Sequence, residues 1–345
     1  SNATKAGCFP KMRIATYNVE WFNALFDDDG QMINDDSWSK RYNVTKAQQT
    51  AALGAVFQAM DADAIMVIEA PDSHRGRDGV YALEGFAAHF GLRARSGVIG
   101  YSNDTQQEII LMYDPDVLQA SHAPQASDAA PSFEEEFKLD LDLDSHPDPI
   151  VFSKPPLEIS AVKGDFAFNL IGVHAKSKAP HGASNPKEVM QISIQNRRKQ
   201  LAQCIWLRAR VAEHLAAKTP LIVLGDFNDG PGLDEYERLF GRSGVEIVLG
   251  EGADDEKLYD PHAQRALSQR LPANFTTSRF FLRHEKRYLS ALLDYIMVSS
   301  DLKEKNPAWH IWHPFDDPAC YGDLNLREAL LAASDHFPVT LDIDI

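Results

Sequence analysis

Leu221–Asp229 reads LIVLGDFND: four apolar residues in a row, a glycine, then Asp226 and Asn228 on either side of one phenylalanine. An unbroken apolar run bounded by a turn signal is a strand buried on both faces, not a half-exposed one. Gly225 permits a tight approach of backbone, and Asp226 and Asn228 project from the turn beyond the strand. A carboxylate and an amide two residues apart can face the same phosphate, the first taking a metal ion or a proton and the second donating a hydrogen bond. An Asx turn that merely ends a strand has the same local pattern, and Asp229 suits the turn better than a ligand role.

Four further segments place phosphate- or metal-handling residues at strand ends. Met12–Asn18 is a β-rich run closing on Asn18, and Ala64–Ile68 is an apolar strand closing on Glu69. Phe166–Val173 leads into His174, followed by Lys176 and Lys178. Leu293–Val298 holds Asp294, and Asp335-His336 precede the last strand, Phe337–Ile343. A carboxylate such as Glu69 at the end of a buried strand is wasteful unless it meets a cation or a cap, and Asn18 offers a neutral oxygen beside it. Magnesium takes hard oxygens and keeps several waters, so one or two carboxylates suffice. His336 accepts a proton from water only if its other ring nitrogen is held, and Asp294 is the natural orienting carboxylate. His174 with Lys176 and Lys178 suits the non-bridging oxygens of a phosphate, whose charge grows in the transition state. Glu108 is placed to hold His174 in a second carboxylate–histidine couple. Taken singly, each residue also has a plain structural reading; all five segments in this order do not arise readily by chance.

Between these segments the spacing predicts helices over Ala47–Met60, Tyr81–Phe90 and Ile194–Leu215, the last burying Leu201, Cys204, Ile205, Val211, Ala212 and Leu215 on one face. Ile109–Tyr113 reads as a strand, and Leu157–Val162 with Phe166–Val173 as a hairpin turning near Gly164. Gln119–Pro149 is rich in Asp, Glu, Ser, Ala and Pro and reads as a surface excursion, with DLDLDSHPDP as a half-buried edge strand. Many strands with few βαβ repeats favour two sheets packed on each other, with helices outside. Phe280 and Phe281 read as core aromatics or, with Arg279, as a substrate-side loop that wedges or stacks on a base, and no exposed aromatic hairpin is evident.

Composition excludes several classes. The chain has 345 residues, 44% hydrophobic and 24% charged, within the range of a globular protein. It contains no run of about 18 apolar residues, so no transmembrane helix is expected. Cys8, Cys204 and Cys320 cannot form a disulfide framework and lack metal-ligand spacing. The formal net charge of -16 argues against a protein that wraps nucleic acid non-specifically, but not against a nuclease, whose metal site is itself acidic. Residues 1–11, opening on a Ser-Asn-Ala cleavage scar, are set apart as an N-terminal extension; 12–345 are expected to form one domain. Both a cytoplasmic and a secreted location stay open.

The ordered set resembles the endonuclease/exonuclease/phosphatase superfamily of magnesium-dependent, DNase I-like phosphoesterases, from Met12 to the C-terminus. The resemblance implies an α/β fold, a four-layered α-β-β-α sandwich of two packed mixed sheets, with the site at one edge. It implies Glu69 as the main Mg2+ ligand, with Mn2+ as a substitute, Asn18 nearby and Asp335 as a further metal-side carboxylate. It implies Asp226 and Asn228 positioning nucleophile and phosphate, His336 oriented by Asp294 as base or phosphate ligand, and His174 stabilising the transition state or assisting the leaving oxygen. Ile68 stands where many members have Gln. His174 stands where abasic-site endonucleases commonly have Tyr. The HAKSK and FSKPP segments are similar to HLKSK and FxRPP of bacterial extracellular nucleases, with Ala175 and Lys154 as the departures. The expected activity is hydrolysis of a phosphodiester, nucleic acid first; a small or lipid phosphoester is the alternative.

Overall fold

The structure, a computed structural model, describes residues 11–73, 77–101, 107–139, 148–230, 240–269, 275–283 and 285–345. The strands are β1 (Met12–Asn18), β2 (Ala64–Ser73), β3 (Ser96–Ile99), β4 (Gln107–Tyr113) and β5 (Gln119–His122). They continue with β6 (Phe137–Leu139), β7 (Asp148–Ile150), β8 (Leu157–Lys163), β9 (Phe166–His174) and β10 (Leu221–Asp226). The C-terminal part adds β11 (Ser278–Leu282), β12 (Arg287–Ala291), β13 (Asp294–Val298), β14 (Ala308–Ile311) and β15 (Val339–Ile343). The longer helices among the described residues are α1 (Lys46–Met60), α2 (Gly79–Phe90), α3 (Pro186–Ala216), α4 (Pro261–Gln269) and α5 (Leu324–Ala333).

Two mixed sheets form, one in the order β14-β15-β1-β2-β4-β3 and the other β13-β10-β9-β8-β5. Side chains alternate faces along a strand, and here both faces are apolar because each meets a different layer. In β10, Ile222 and Leu224 enter the core between the sheets, while Leu221 and Val223 face α3 with Trp206 and Leu207. In β1, Met12 and Ile14 point between the sheets, while Ala15 and Tyr17 meet Leu53 and Phe57 of α1, Phe86 of α2 and Leu330 of α5. Helix, sheet, sheet, helix is thus the layer order, the expected four-layered α/β sandwich. Gly172 of β9 lets the sheets approach: a Cβ there would lie 2.5 Å from Met66 Sδ of β2.

The sequence-based expectations fail in four places. α3 begins well before Ile194, because Asn185 caps it and Pro186 occupies its first turn. Its buried face runs through Arg197, Gln200, Leu201, Cys204, Val211 and His214, leaving Ala212 exposed; two buried arginines moved the apparent apolar phase. Gln119–Pro149 is not simply a surface excursion: β5 pairs with β8, and Phe133 is fully buried against Trp206. Of the DLDLDSHPDP segment, residues 140–147 lie outside the described residues. Finally, β11 and β12 form a hairpin that leaves Phe281 53% and Tyr288 52% exposed.

Candidate active site

Strand register alone assembles most of the site. β9 and β10 run parallel with Asp226 opposite His174, and β10 and β13 run antiparallel with Asp226 opposite Asp294. Three candidate side chains therefore lie in a row across one sheet edge, and β1 and β2 bring Asn18 and Glu69 from the other. Gly225 makes the row possible. Its φ of 145° is a glycine conformation, and a Cβ there would sit 2.0 Å from the Val173 carbonyl oxygen. The Ser-Asp-His turn is fastened from both sides: the Ser334 hydroxyl donates to the Asn18 carbonyl at 2.8 Å, and the Phe337 amide donates to Thr277 O at 2.7 Å.

Two carboxylate–histidine couples flank Asp226. His336 Nδ1 lies 2.8 Å from Asp294 Oδ2, and His174 Nδ1 lies 2.9 Å from Glu108 Oε1. Their Nε2 atoms stand 3.8 Å and 3.7 Å from the same oxygen, Asp226 Oδ2. That oxygen also accepts from Asn18 Nδ2 at 2.9 Å. Burial pushes Glu108 up, but His174 and Lys154, whose ammonium is 2.7 Å away, outweigh it and hold the carboxyl below its ordinary range. Burial raises Asp294 to about 6. Burial also works against a charged His336, yet Asp294 and Asp226 carry it well above an ordinary imidazole. These directions oppose each other within one pair. The geometry favours the imidazolium, since carboxylates stand at both ring nitrogens.

Asp226, Asp294 and His336 bring ligand atoms within 4.8 Å of one another, but with His336 Nδ1 committed to Asp294 this trio suits proton handling better than cation binding. The oxygen donors sit on the β1–β2 side. Asn18 Oδ1 and Asp335 Oδ1 are buried with no hydrogen-bond partner. Burial, then a hydrogen bond shared with Asp335, pushes Glu20 up to about 10. Burial also raises Glu69, which His174 only partly relieves. Orphaned acceptors beside crowded carboxyls are what a hard divalent cation satisfies, so the donor set fits the expected magnesium. Glu20 was missed in the sequence; an acidic residue two positions beyond Asn18 was the available signal. Glu69 itself sits at a β-bulge with φ 59°, a left-handed turn that swings its side chain to the rim.

Other residues behave differently from expectation. Asn228, at φ 47°, donates its side-chain amide to Ala175 O at 2.9 Å and its backbone N–H to Asp226 Oδ1 at 2.8 Å. It braces the turn and retains one amide hydrogen for a ligand. Lys178 lines the cleft, but its ammonium is 2.6 Å from Asp229. Asp229 is no simple turn residue. It is 0% exposed and also accepts from Arg197 Nη1 at 2.9 Å and from the Gly244 amide at 2.5 Å. The cleft measures about 760 Å³. Lys154, Lys176 and His181 lie on one wall and Phe280, Leu282 and Leu289 on the other, with the Phe280 ring edge-on to His336 at 5.5 Å.

A family model for endonucleases, exonucleases and phosphatases matches residues 15–336, nearly the whole chain. The chain belongs to the endonuclease/exonuclease/phosphatase family. It is therefore a phosphoester hydrolase by family. No curated protein matches it. Among solved structures, TDP2 from Caenorhabditis elegans is 12% identical with a TM-score of 0.50, covering 97% of this chain and 75% of that one; this likeness extends to the fold. An endonuclease/exonuclease/phosphatase from Bacteroides vulgatus is 14% identical (TM-score 0.48, 98% and 100% covered). The human Nocturnin catalytic domain with bound sulfate is 13% identical (TM-score 0.45, 96% and 94% covered). No helix among the described residues is long and apolar enough to cross a membrane.

Proposed function

We propose that this family member is a magnesium-dependent phosphodiesterase that cleaves nucleic acid by in-line attack of water on phosphorus. The observation that carries the reading is the symmetric pair of carboxylate-held histidines around Asp226. Hydrolysis removes a proton from water and delivers one to the departing oxygen; Asp226, between the two imidazoles, can take the first and a histidine can deliver the second. Asp226 orients the attacking water between them. His336, held cationic by Asp294 and Asp226, meets the charge that builds on phosphate; His174 faces the opposite oxygen. Asn18, Glu69 and Asp335, with Glu20, would hold the cation. What the cation supplies when bound is neutralisation of charge on the phosphoryl oxygens. The cleft is much larger than one phosphate needs, and its cationic and aromatic walls suit a backbone and a base.

Hydrolysis of plasmid, single-stranded DNA, RNA and bis-p-nitrophenyl phosphate with magnesium, manganese or EDTA tests this directly. Metal-dependent cleavage of nucleic acid is expected, with Glu69→Gln shifting the metal titration; inert nucleic acids would sink the substrate assignment. One observation favours a second reading. Phe281 and Tyr288 project from the hairpin beside the cleft, and such a pair can enter a lipid surface. Co-sedimentation with liposomes, lost in Phe281→Ser, would move the reading to a lipid phosphodiester.

Proton linkage gives a separate test of the cation site. Glu20, Glu69 and Asp294 all have folded pKa values above their ordinary ones. The folded state thus holds protons that the unfolded chain has released, and metal-free stability falls as pH rises above the ordinary carboxylate range. The raised His336 acts in the same direction. Because a cation held by Glu20 and Glu69 displaces their protons, magnesium should raise Tm by several degrees at about pH 8 and far less at about pH 5.5. Equal shifts at both would remove the cation from this cluster.

A further inference from the structure

Beyond the catalytic cleft, and sharing Ser153 and Lys176 with it, a second groove of about 570 Å³ runs between β7 and α3. We propose that this groove is an extended phosphate track that holds the polynucleotide strand several nucleotides from the scissile bond; the inference rests on the nucleic-acid reading above. α3 presents Gln195, Arg198, Lys199 and Gln203 to it, spaced for one helix face. At about 1.5 Å per residue those eight steps cover about 12 Å, and at about 3.4 Å per stacked nucleotide the groove spans roughly three to four phosphates.

The groove is built rather than incidental. Gln203, buried beneath it, accepts from the Lys176 amide at 2.8 Å and donates to the Val151 carbonyl at 3.2 Å, fixing both walls. Lys154 and Lys178 are committed to Glu108 and Asp229. Lys176 and Lys199, by contrast, make no ion pair among the described residues. In a chain of net charge -16, two uncommitted lysines on a groove opening into the cleft give an anionic strand a directional path. Val151, 54% exposed at its rim, offers an apolar edge for a sugar or base.

The test compares oligothymidylates and oligouridylates of increasing length with bis-p-nitrophenyl phosphate, using wild-type protein, Lys199→Glu and the conservative Lys199→Arg. Wild-type KM should fall with length and level off at roughly four to six nucleotides. Lys199→Glu should raise KM for the longer oligomers about ten-fold, lower the ratio of oligomer to small-diester kcat/KM equally, and flatten the salt dependence by about one phosphate contact. Lys199→Arg should restore the length dependence. Oligomers cleaved with the same KM and salt slope by Lys199→Glu would overturn the track while leaving a nuclease. Oligomers left intact by a wild-type protein that hydrolyses the small diester would overturn the nucleic-acid reading and the track together.

Discussion

His336→Ala should reduce turnover of both plasmid and bis-p-nitrophenyl phosphate by about 10³–10⁴-fold while the protein stays folded. The imidazole has its Nδ1 on Asp294 and its Nε2 facing Asp226, so its loss removes the cation between two carboxylates. Asp226→Asn should cost as much from the opposite side, because Asp226 Oδ2 is where both histidines and Asn18 converge. The double variant should be little worse than either single one, as groups acting as a unit are strongly non-additive. Single-turnover kinetics with thermal denaturation alongside would check this. Near-full activity in either single variant would place the reaction centre elsewhere.

The second large effect concerns stability. Asp229→Ala should destabilise the fold by about 3–5 kcal/mol, because Arg197, fully buried, and Lys178 both lose a carboxylate that Gly244 also uses. For a chain of 345 residues that is a fall in Tm on the order of 4–7 °C. Activity should fall as well, since the same loop carries Asn228 and its grip on Asp226. An unchanged Tm would mean that the buried network contributes nothing net. Asp229→Asn separates the charge from the packing: it keeps an acceptor of the same shape, so a smaller loss is expected if hydrogen bonding dominates.

Much of the site was legible because most members stand at one terminus of a short apolar strand, a pattern that depends only on local burial, although Glu69 lies at a bulge within β2 rather than at its end. Asn18, Glu69, His174, Asp226 and Asp294 all meet at one edge for that reason. The couple between Glu108 and His174 was legible too, although its partner lies on the other sheet. What escaped was non-local or broke local rules. Glu20 follows β1 in a turn, where a carboxylate needs no special account until Asp335 arrives from the far end of the chain. Arg197 carries a charge on the long helix and is nevertheless wholly buried, because Asp229, in the loop after β10, neutralises it. The β11–β12 hairpin was hidden by its charged turn. Arg283 to Lys286 holds no glycine or proline to mark a reversal, and Lys286 takes the left-handed φ of 51° instead.

Glu69 and Asn228 share that unusual backbone, each at positive φ without being glycine. Such residues carry a conformational cost of about 1 kcal/mol or more that the surrounding structure must override. Replacing Glu69 with glycine would relieve it, and a breeder selecting only for heat resistance would find that position attractive, whereas at Asn228 glycine would also lose the side-chain hold on the Ala175 carbonyl. Under the proposed cation-binding role of Glu69, the survivors of such a selection would be sturdier and inert. With Glu69 in its proposed role as a cation ligand, durability and reactivity compete at that peptide unit, and any programme to harden the protein should exempt it from the outset.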